Sequence, residues 1–360
     1  MAYRNNQPYN DLPLLPPPPG IETNRVLKRC ISASRALAEL KGAGNLIPNQ
    51  SILINSIPLQ EARLSSEVEN IVTTQDALFR AVVEDPGRAD PATREVLRYR
   101  QALRYGYEAI QRGPFTIDLL IEVCSVLRDS STGLRDTEPI LIEDVTAKTA
   151  IYTPPRGRET VVGLLQNLVF FLHEPGGLDP LVKMAVAHYQ FEAIHPFVDG
   201  NGRTGRILNL LVLLESGLLE LPVLYLSRYI IHNKAEYYRR LRAVTEQQDW
   251  DGWLHFMLAA VEDTARWTTG RILAIRDLLE ETTQRCRQEL PERVYSKELI
   301  ELIFVQPYVR IQTLVDAGLA KRETASEYLR ELERIGVLHS QKRGREILYR
   351  HLALLEALKA

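Results

Sequence analysis

Two apolar segments, separated by a short loop rich in glycine and charge, place the strongest constraint on the fold of this chain. Asp179 and Pro180 combine a capping side chain with a proline at the first helical position, so a helix begins there. Apolar residues then share one face as far as His195, and Pro196 biases that residue away from helical geometry. Residues 204–216 are apolar nearly all round, which predicts a central buried helix. The loop therefore joins two core helices.

Most of the remaining chain has the composition and period of α-helices. These patterns predict helices over residues 22–41, 52–59, 73–84, 91–111, 117–128, 160–172, 229–245, 250–269 and 271–290. The proline-rich residues 1–20 cannot continue a helix, and we expect them to lie as an extended arm over the domain. Residues 140–155, which end in two prolines, predict a short β-hairpin. The fold class is therefore mainly α.

The pattern changes after residue 291. Residues 296–304, 311–317 and 322–335 predict three short helices, and two strand-like runs flank the basic turn at 341–344. Three helices followed by a basic hairpin are typical of a winged helix-turn-helix domain.

Composition excludes some classes of protein. The net charge of −2 gives no general attraction to nucleic acid or membrane, and the apolar run at 207–214 is too short to cross a bilayer. The cysteines are three in number and far apart, which argues against a disulfide framework and a cysteine metal site. We expect a cytoplasmic protein without membrane contact.

The loop has the chemistry of an anion site. Gly200, Asn201 and Gly202 precede a helix, where backbone N–H groups can converge on one anion. Arg203 and Arg206 follow at a spacing of three, on one face of the first turn. Cations there oppose the helix dipole by roughly 0.3–1 kcal/mol each, and a polyphosphate between them and the N–H groups would reverse that sign.

Two further side chains complete a reactive site. Asp199 supplies the single carboxylate that commonly holds Mg²⁺ beside phosphates, with the remaining ligands from phosphate and water. His195 is a residue type suited to taking a proton from a hydroxyl near neutral pH. Together these residues predict the transfer of a phosphorus group from a Mg²⁺-bound nucleotide to a hydroxyl.

The segment from His195 to Arg206, HPFVDGNGRTGR, resembles the signature of the Fic family at every fixed position. The resemblance extends over residues 22–270, and the layout with a C-terminal winged helix is similar to one Fic subgroup. It implies a Fic-type helical bundle with a small β-hairpin flap. It also implies the transfer of AMP from ATP, with Mg²⁺, to a Ser, Thr or Tyr hydroxyl of a target protein and of the enzyme itself.

The resemblance also implies roles for individual residues. His195 would be the general base, Asp199 the Mg²⁺ ligand and Phe197 an apolar anchor for the loop. Arg203 would hold the α- and β-phosphates and Arg206 the γ-phosphate. Further ATP contacts would come from Gly200, Asn201 and Gly202 as the anion cradle, from Thr204 and Gly205, and from Tyr237 or Tyr238 around the adenine. Ile151, Tyr152 and Thr153 would lie in the flap that aligns the target chain by strand addition.

The segment from Ser65 to Asn70 has two interpretations. From its residues alone it is a surface helix capped by Ser65 or Ser66, with acidic side chains in its first turn. Its sequence also resembles the inhibitory motif of the family. That resemblance implies that Glu69 pairs with Arg206 in place of the γ-phosphate, leaving the α-phosphorus of ATP misaligned for attack.

These features predict four regions. They are an arm and helical region (1–112) carrying the inhibitory helix at about 61–70, a catalytic core (113–270), a connecting helix (271–294) and the winged helix-turn-helix domain (295–360).

Alternative functions remain at this point. Some Fic relatives transfer phosphate, UMP or phosphocholine, but the phosphate-transferring ones alter the Gly-Asn-Gly-Arg stretch that is intact here. Removal of AMP from a modified target, with Glu69 assisting water, is another alternative. A DNA-binding regulator is the alternative from a different class. Acidic residues interleave with the basic ones of the C-terminal segment, so we expect protein interaction or homodimerisation there in preference to DNA binding. These basic residues are Lys321, Arg322, Arg330, Lys342, Arg343 and Arg345.

Overall fold

The computed structural model describes residues 3–84, 86–136, 142–144, 149–343 and 346–359. Within these ranges the chain is mainly helical, as predicted, with two small antiparallel sheets. The helices are α1 (Asn24–Gly44), α2 (Ser51–Val68), α3 (Gln75–Val83), α4 (Pro91–Ile110), α5 (Ile117–Arg128), α6 (Arg158–His173), α7 (Pro180–Ile194), α8 (Asn201–Glu215), α9 (Leu226–His232), α10 (Lys234–Gln247), α11 (Trp250–Glu289), α12 (Lys297–Val305), α13 (Ile311–Asp316), α14 (Arg322–Arg334) and α15 (Leu352–Ala357). The strands are β1 (Ile142–Asp144), β2 (Thr149–Tyr152), β3 (Tyr308–Val309), β4 (His339–Arg343) and β5 (Glu346–Arg350).

Helices α7 and α8 form the centre of the core, as their apolar patterns predict. Asp179 caps α7 by accepting the backbone N–H of Leu181 at 2.8 Å. Almost every residue of α8 is buried, including its two arginines, and α8 packs against α4, α5 and α7. The loop between α7 and α8 is consequently held at both ends by the core.

The predicted boundaries of α2 were wrong. Pro58 lies inside one continuous helix, although an interior proline removes a hydrogen bond and costs ~3 kcal/mol. Burial of α2 against α4, α9 and α12 offsets that cost. Ser65 and Ser66 therefore lie in the last turn of the helix, where they cannot cap its beginning, and Glu69 is its C-cap.

Two other helix boundaries also differ from the predictions. Asn233 divides the helix expected over residues 229–245 into α9 and α10. In contrast, α11 runs through Gly270 without a break for 40 residues. Glycine in a helix costs only about 1 kcal/mol relative to alanine, and packing of α11 along α1 outweighs it. The expected connecting helix at 271–294 is thus the second half of α11.

The N-terminal arm lies over the helical core, as expected. Leu12 and Leu15 are buried, and the backbone of Leu15 exchanges two hydrogen bonds with the side-chain amide of Asn167. Gln190 of α7 donates to the carbonyl of Pro13 at 2.9 Å. The arm is therefore packed in place along α6 and α7.

The hairpin predicted over residues 140–155 is formed by β1 and β2, which pair antiparallel. Residues 137–141 and 145–148 lie outside the described residues. The opposite edge of β2 carries the arm: the carbonyl of Ile151 accepts from the Tyr3 hydroxyl at 3.1 Å, and that of Thr153 from the Tyr9 N–H at 3.0 Å. The Thr153 hydroxyl donates to the carbonyl of Asn5. Carbonyls two residues apart point to the same side of a strand, so the arm covers the free edge of β2.

After α11 the structure contains α12, α13 and α14 and an antiparallel sheet in the order β3–β5–β4. Neither β3 nor α15 was predicted from the sequence. The segment packs against the N-terminal region: Asn49 donates to Glu301, and Tyr308 bonds to Asp76. Among the described residues, no helix is long and apolar enough to span a membrane.

Candidate active site at the α7–α8 loop

Backbone geometry and one amide side chain shape the loop. His195 is the C-cap of α7, in the left-handed region with φ 49°, and Gly200 is the N-cap of α8, with φ 88°. The side chain of Asn201 both donates to and accepts from the backbone of Phe197, at 2.8 Å in each case. Phe197 itself is fully buried against Phe191. The loop is thus closed by contacts within its own sequence.

Helix α8 begins at Asn201, three residues earlier than predicted. Gly202 and Arg203 are therefore in its first turn, where backbone N–H groups have no acceptor within the helix. The side chain of Asn201 is committed to the Phe197 backbone, so the anion-binding surface consists of backbone N–H groups and arginines.

Both arginines of the first turns are buried and paired with carboxylates. The Arg203 side chain is 3% exposed; it contacts Glu95 of α4 and lies 3.8 Å from Asp199. The Arg206 side chain is 1% exposed and donates to Glu69 at 2.9 Å. Isolated buried charges are costly, so guanidinium groups in this position require anionic partners.

Three contacts join Arg206 to the end of α2. Besides the bond to Glu69, its Nε donates to the Ser65 hydroxyl at 2.7 Å and its Nη2 to the Ser65 carbonyl at 2.8 Å. Burial opposes ionisation of Glu69, but the Arg206 guanidinium outweighs it and lowers the pKa of Glu69. A Cβ on Gly202 would lie 2.3 Å from Glu69 Oε1, so the carboxylate rests directly on the first turn of α8.

His195 is held in its neutral form. Burial lowers its pKa to about 4, and the nearby Arg135 guanidinium contributes in the same direction. Its Nδ1 is buried and has no hydrogen-bond partner within the described part of the chain. A neutral imidazole with a free nitrogen can accept a proton.

Sequence reasoning missed Arg135, which fixes the backbone around His195. This buried guanidinium donates to the carbonyls of His195 at 2.7 Å, Ile194 at 3.0 Å and Pro155 at 2.5 Å. It thereby ties the end of α7 to the residues that follow the hairpin. A lone arginine in a predicted loop carries no sequence signal for this role.

Asp199 lies at the rim of the site, with its side chain 55% exposed and in contact with Arg128. Within the described ranges, no three or more His, Cys, Asp or Glu side chains form a group that could hold a metal. One exposed carboxylate nevertheless suits Mg²⁺, which usually keeps several waters and takes its other ligands from substrate phosphates. The donor set therefore fits Mg²⁺ bound together with a polyphosphate.

A cavity of about 380 Å³ lies beside the end of α2 and the end of α7, and one of the two tyrosines predicted to enclose adenine lines it. Tyr238 lines it together with Glu69 and Glu192. Tyr237 does not: it is 1% exposed, and its hydroxyl is 2.8 Å from Nε2 of His188. Tyr237 is therefore a core residue, and Tyr238 is the one in position to contact a ligand.

Some of the other residues predicted to contact ATP or the target line the cavity, and others lie in the core. Ile151 and Tyr152 line the cavity, and Tyr152 donates to the carbonyl of Ala193 at 2.8 Å, which anchors the hairpin on α7. Thr204 is fully buried. The carbonyl of Gly205 lies 3.1 Å from Nδ1 of His188, in the core behind the loop.

A fully buried glutamate of α2 was also missed. Glu61 accepts the backbone N–H of Ser227 at 3.0 Å and contacts the Ser227 hydroxyl. Burial raises its pKa to about 7, although Ser227 and Arg206 act in the opposite direction. Glu61 stands at the start of the region predicted to carry the inhibitory helix, where an acidic residue gives no sign of burial.

The cations of the C-terminal segment contrast with those of the loop. Arg293 pairs with Glu327 at 2.6 Å and Arg334 with Glu331 at 2.9 Å, and the arginines of both pairs are largely exposed. The side chains of residues 343–346 lie outside the described residues. The described pairs agree with a solvated, salt-bridged surface.

A buried helix start with two arginines, a histidine at its approach and a carboxylate at its rim form the candidate active site. Three family models match successive parts of the chain: the Fic/DOC family N-terminal region over residues 27–108, the Fic/DOC family over 114–213 and the C-terminal domain of SoFic-like protein adenylyltransferases over 278–354. The chain belongs to the Fic family.

Its curated relatives include protein adenylyltransferase fic-1 of Caenorhabditis elegans, 29% identical over 174 residues, or 45% of this chain and 32% of the relative. The probable protein adenylyltransferase aq_aa38 of Aquifex aeolicus is 26% identical over 174 residues, or 48% and 52%. The matches thus span about a third to a half of these relatives. A crystal structure of a Fic family protein from Desulfovibrio desulfuricans G20 has the same fold, with a TM-score of 0.59, 21% identity, and coverage of 94% and 98%.

Proposed function

We propose that this protein transfers AMP from ATP to a Ser, Thr or Tyr hydroxyl of a target protein and of itself, and that Glu69 inhibits the transfer. The observation that carries the proposal is the Glu69–Arg206 pair. The Glu69 carboxylate is bound to a buried guanidinium at the start of α8, where a phosphate would bind. The names of its curated relatives, protein adenylyltransferases, support the same reaction.

The phosphates of ATP would replace acidic side chains. Arg203 is paired with Glu95, and Arg206 with Glu69. A polyphosphate would meet both guanidiniums and the free N–H groups of the first turn, so it gains charge-assisted hydrogen bonds on one helix end. Asp199 would hold Mg²⁺, which neutralises charge on the phosphates when it is bound.

His195 would act as the general base. Its neutral imidazole accepts the proton of the target hydroxyl while that oxygen attacks the α-phosphorus of ATP. The new bond joins the target oxygen to AMP, and the bond to the β-phosphate oxygen breaks, so that pyrophosphate leaves. Arg203 and Arg206 stabilise the negative charge on the departing pyrophosphate.

Inhibition would follow from the position of Glu69. Its carboxylate lies against Gly202 and Arg206, where the terminal phosphate of ATP would bind. ATP held away from this corner has its α-phosphorus out of line with the attacking hydroxyl, and alignment accounts for a large part of the rate. The reverse reaction, in which Glu69 assists water in removing AMP, uses the same residues and is the second candidate.

The flap would align the target. In this proposal a target chain displaces the N-terminal arm from the edge of β2 at Ile151–Thr153 and places its hydroxyl beside His195. The C-terminal segment would serve a protein partner or a second copy of the chain: Arg334 is paired with Glu331, and Arg330 bonds to Ser326 of its own helix.

The test compares the wild-type chain with Glu69→Gly, using ATP labelled at the α- or the γ-phosphorus. We expect the variant to incorporate α-label into itself at least tenfold faster, and no γ-label. Glu67→Gly is the matched control, because Glu67 ends the same helix but pairs with Arg63. Incorporation of γ-label would indicate phosphate transfer, and equal rates in Glu69→Gly and the wild type would contradict inhibition by Glu69. An adenylylated target that loses AMP to the wild-type chain would favour the second candidate.

A further inference from the structure

Glu192 is a carboxylate of the active-site region to which neither the motif nor the proposed reaction gives a role. It lies in α7, one turn before His195, and lines the cavity that also contains Glu69 and Tyr238. Its Oε1 is buried and has no hydrogen-bond partner among the described residues. A buried carboxylate oxygen without a donor is costly, so this group requires an explanation.

The loop makes room for this carboxylate. A Cβ on Gly205 would lie 2.5 Å from Glu192 Oε1, closer than side-chain atoms approach. Gly205 is not needed for a turn, because it lies inside α8, where glycine is unfavourable. The absence of a side chain at Gly205 is therefore matched to the position of Glu192.

We propose that Glu192 binds the ribose hydroxyls of the nucleotide and selects ribonucleotides over deoxyribonucleotides. This inference rests on the proposed function, since it assumes that ATP binds in this cavity. Carboxylates bind ribose hydroxyls in other nucleotide sites, because a carboxylate offers only acceptors and a sugar offers two adjacent donors.

The ribose is assigned over the base by the order of groups along the cavity. Glu69 rests on Gly202 in the first turn of α8, Glu192 lies against Gly205 in the next turn, and both carboxylates line the cavity. Tyr238, on α10, also lines the cavity and offers an aromatic ring to a base. A nucleotide joins its phosphates to its base through the ribose, so a carboxyl next to the phosphates meets the sugar first.

The charge on Glu192 is compatible with this role. Burial raises its pKa to about 7, and Glu69 acts in the same direction while Arg206 opposes it. A carboxyl group that is partly protonated near neutral pH repels the phosphates less than an ionised one. In either form it has an oxygen that can accept from a hydroxyl.

The test uses the full-length Glu69→Gly chain as the active parent. Transfer rates are measured with ATP, 2′-deoxy-ATP, 3′-deoxy-ATP and a triphosphate that lacks the 6-amino group of adenine. We expect the parent to prefer ATP over at least one deoxy analogue by about tenfold or more in kcat/KM, chiefly through KM. Adding Glu192→Ala should lower kcat/KM for ATP to the value of that analogue and leave the analogue's own value unchanged.

Three results would overturn the inference. Glu192→Ala could slow ATP and the deoxy analogues equally, which indicates a structural role. It could abolish discrimination against the base analogue alone, which assigns Glu192 to the base. Alternatively, the parent could fail to discriminate between ATP and either deoxy analogue. Glu159→Ala, in the exposed first turn of α6, controls for loss of a glutamate, and Glu192→Gln preserves the packing.

Binding separates this inference from the proposed function. The same nucleotides are titrated by calorimetry into Glu69→Gly with His195→Ala, with and without Glu192→Ala. If nucleotides bind with the expected ribose preference but the parent transfers no AMP, the proposed function fails and the inference stands. If AMP transfer occurs without a ribose preference that depends on Glu192, only the inference fails. If no nucleotide binds, both fail.

Discussion

The loop from His195 to Arg206 and the last turns of α2 meet at one guanidinium, but they are built in opposite ways. Asn201 closes the loop through Phe197, four residues away, whereas the bond from Arg206 to Glu69 spans 137 residues. The loop is closed by its own sequence and by Arg135, whereas the tertiary fold brings Glu69 to Arg206. Glu69 can therefore leave Arg206 while the loop keeps its structure.

The two regions also differ in how many contacts remain when one side chain is removed. Ser65 holds Arg206 through its hydroxyl and its carbonyl, and Glu61 holds α2 on Ser227. Removal of Glu69 thus leaves α2 attached and Arg206 partly satisfied. At Phe197 the loop depends on one amide for two bonds, and Arg135 holds the carbonyl of His195. Variants on the two sides should consequently affect different measurements.

The largest effect on the transfer rate should come from His195, in the loop between α7 and α8. His195→Ala in the Glu69→Gly background removes the group that accepts the hydroxyl proton, and we expect transfer to fall by about 10²–10⁴-fold. ATP affinity by calorimetry should change less than threefold, because the arginines and the helix start are unaltered. Transfer that persists within tenfold of the parent would show that another group accepts the proton.

The next largest effect should be a pH dependence of the free energy of unfolding, caused by Glu61 in α2. The folded chain raises the pKa of Glu61 from 4.5 to about 7, so the fold favours its protonated form. The stability contributed by this group is fully present below pH 4.5 and is lost as the pH rises through 7, a difference of about 3 kcal/mol. Glu61→Gln cannot titrate.

Chemical denaturation at pH 5 and pH 8 checks this sign. The free energy of unfolding of the wild-type chain should decrease, relative to that of Glu61→Gln, between the two pH values. Glu67→Gln, at the exposed end of the same helix, should give the wild-type slope. An identical slope in the wild-type chain and Glu61→Gln would contradict a raised pKa at Glu61.

A smaller stability effect is expected at Asn201. Asn201→Ala leaves the N–H and carbonyl of Phe197 unpaired in a buried loop, which should cost roughly 1–3 kcal/mol of unfolding free energy and reduce transfer in the Glu69→Gly background. Asn209→Ala is the matched control, since neither polar atom of that buried amide has a partner among the described residues. Equal losses in the two variants would argue against a specific role for the Phe197 bonds.

The smallest effect should be at Ser65. Ser65→Ala removes one of three contacts to Arg206 but retains its own carbonyl and Glu69, so self-modification should rise only a few fold and less than in Glu69→Gly. Ser66→Ala, one residue away, should have no effect on the rate, because the Ser66 hydroxyl is not bonded to Arg206. An increase equal to that of Glu69→Gly would mean that the hydroxyl, and not the carboxylate, holds the inhibited state.

Features that depend on local contacts could be predicted from the sequence, and features that depend on distant contacts could not. The mainly α fold, the helix start at Asp179 and the concentration of polar groups between α7 and α8 follow from periodicity and capping within short windows. The proximity of Glu69 and Arg206 was expected only through a family resemblance. No local pattern in the sequence relates positions 137 residues apart.

The errors in the predicted helix boundaries and site residues also arise from contacts between distant parts of the chain. Tertiary packing allowed Pro58 and Gly270 to remain inside helices that their local propensities would end. Arg135, Glu61 and Glu192 are buried charged residues, and sequence patterns assign such residue types to the surface. Each of these groups depends on partners from other helices or loops, which only the folded chain brings together.

The contact between the N-terminal arm and β2 has a consequence for any incoming target. A segment tethered to the same chain competes at an effective concentration in the millimolar range, independent of how much protein is present. A target that pairs with Ile151 and Thr153 must therefore displace a local competitor that dilution does not weaken. Micromolar targets can do so only with additional binding energy from outside the strand, so target selection is expected to depend on a second recognition surface.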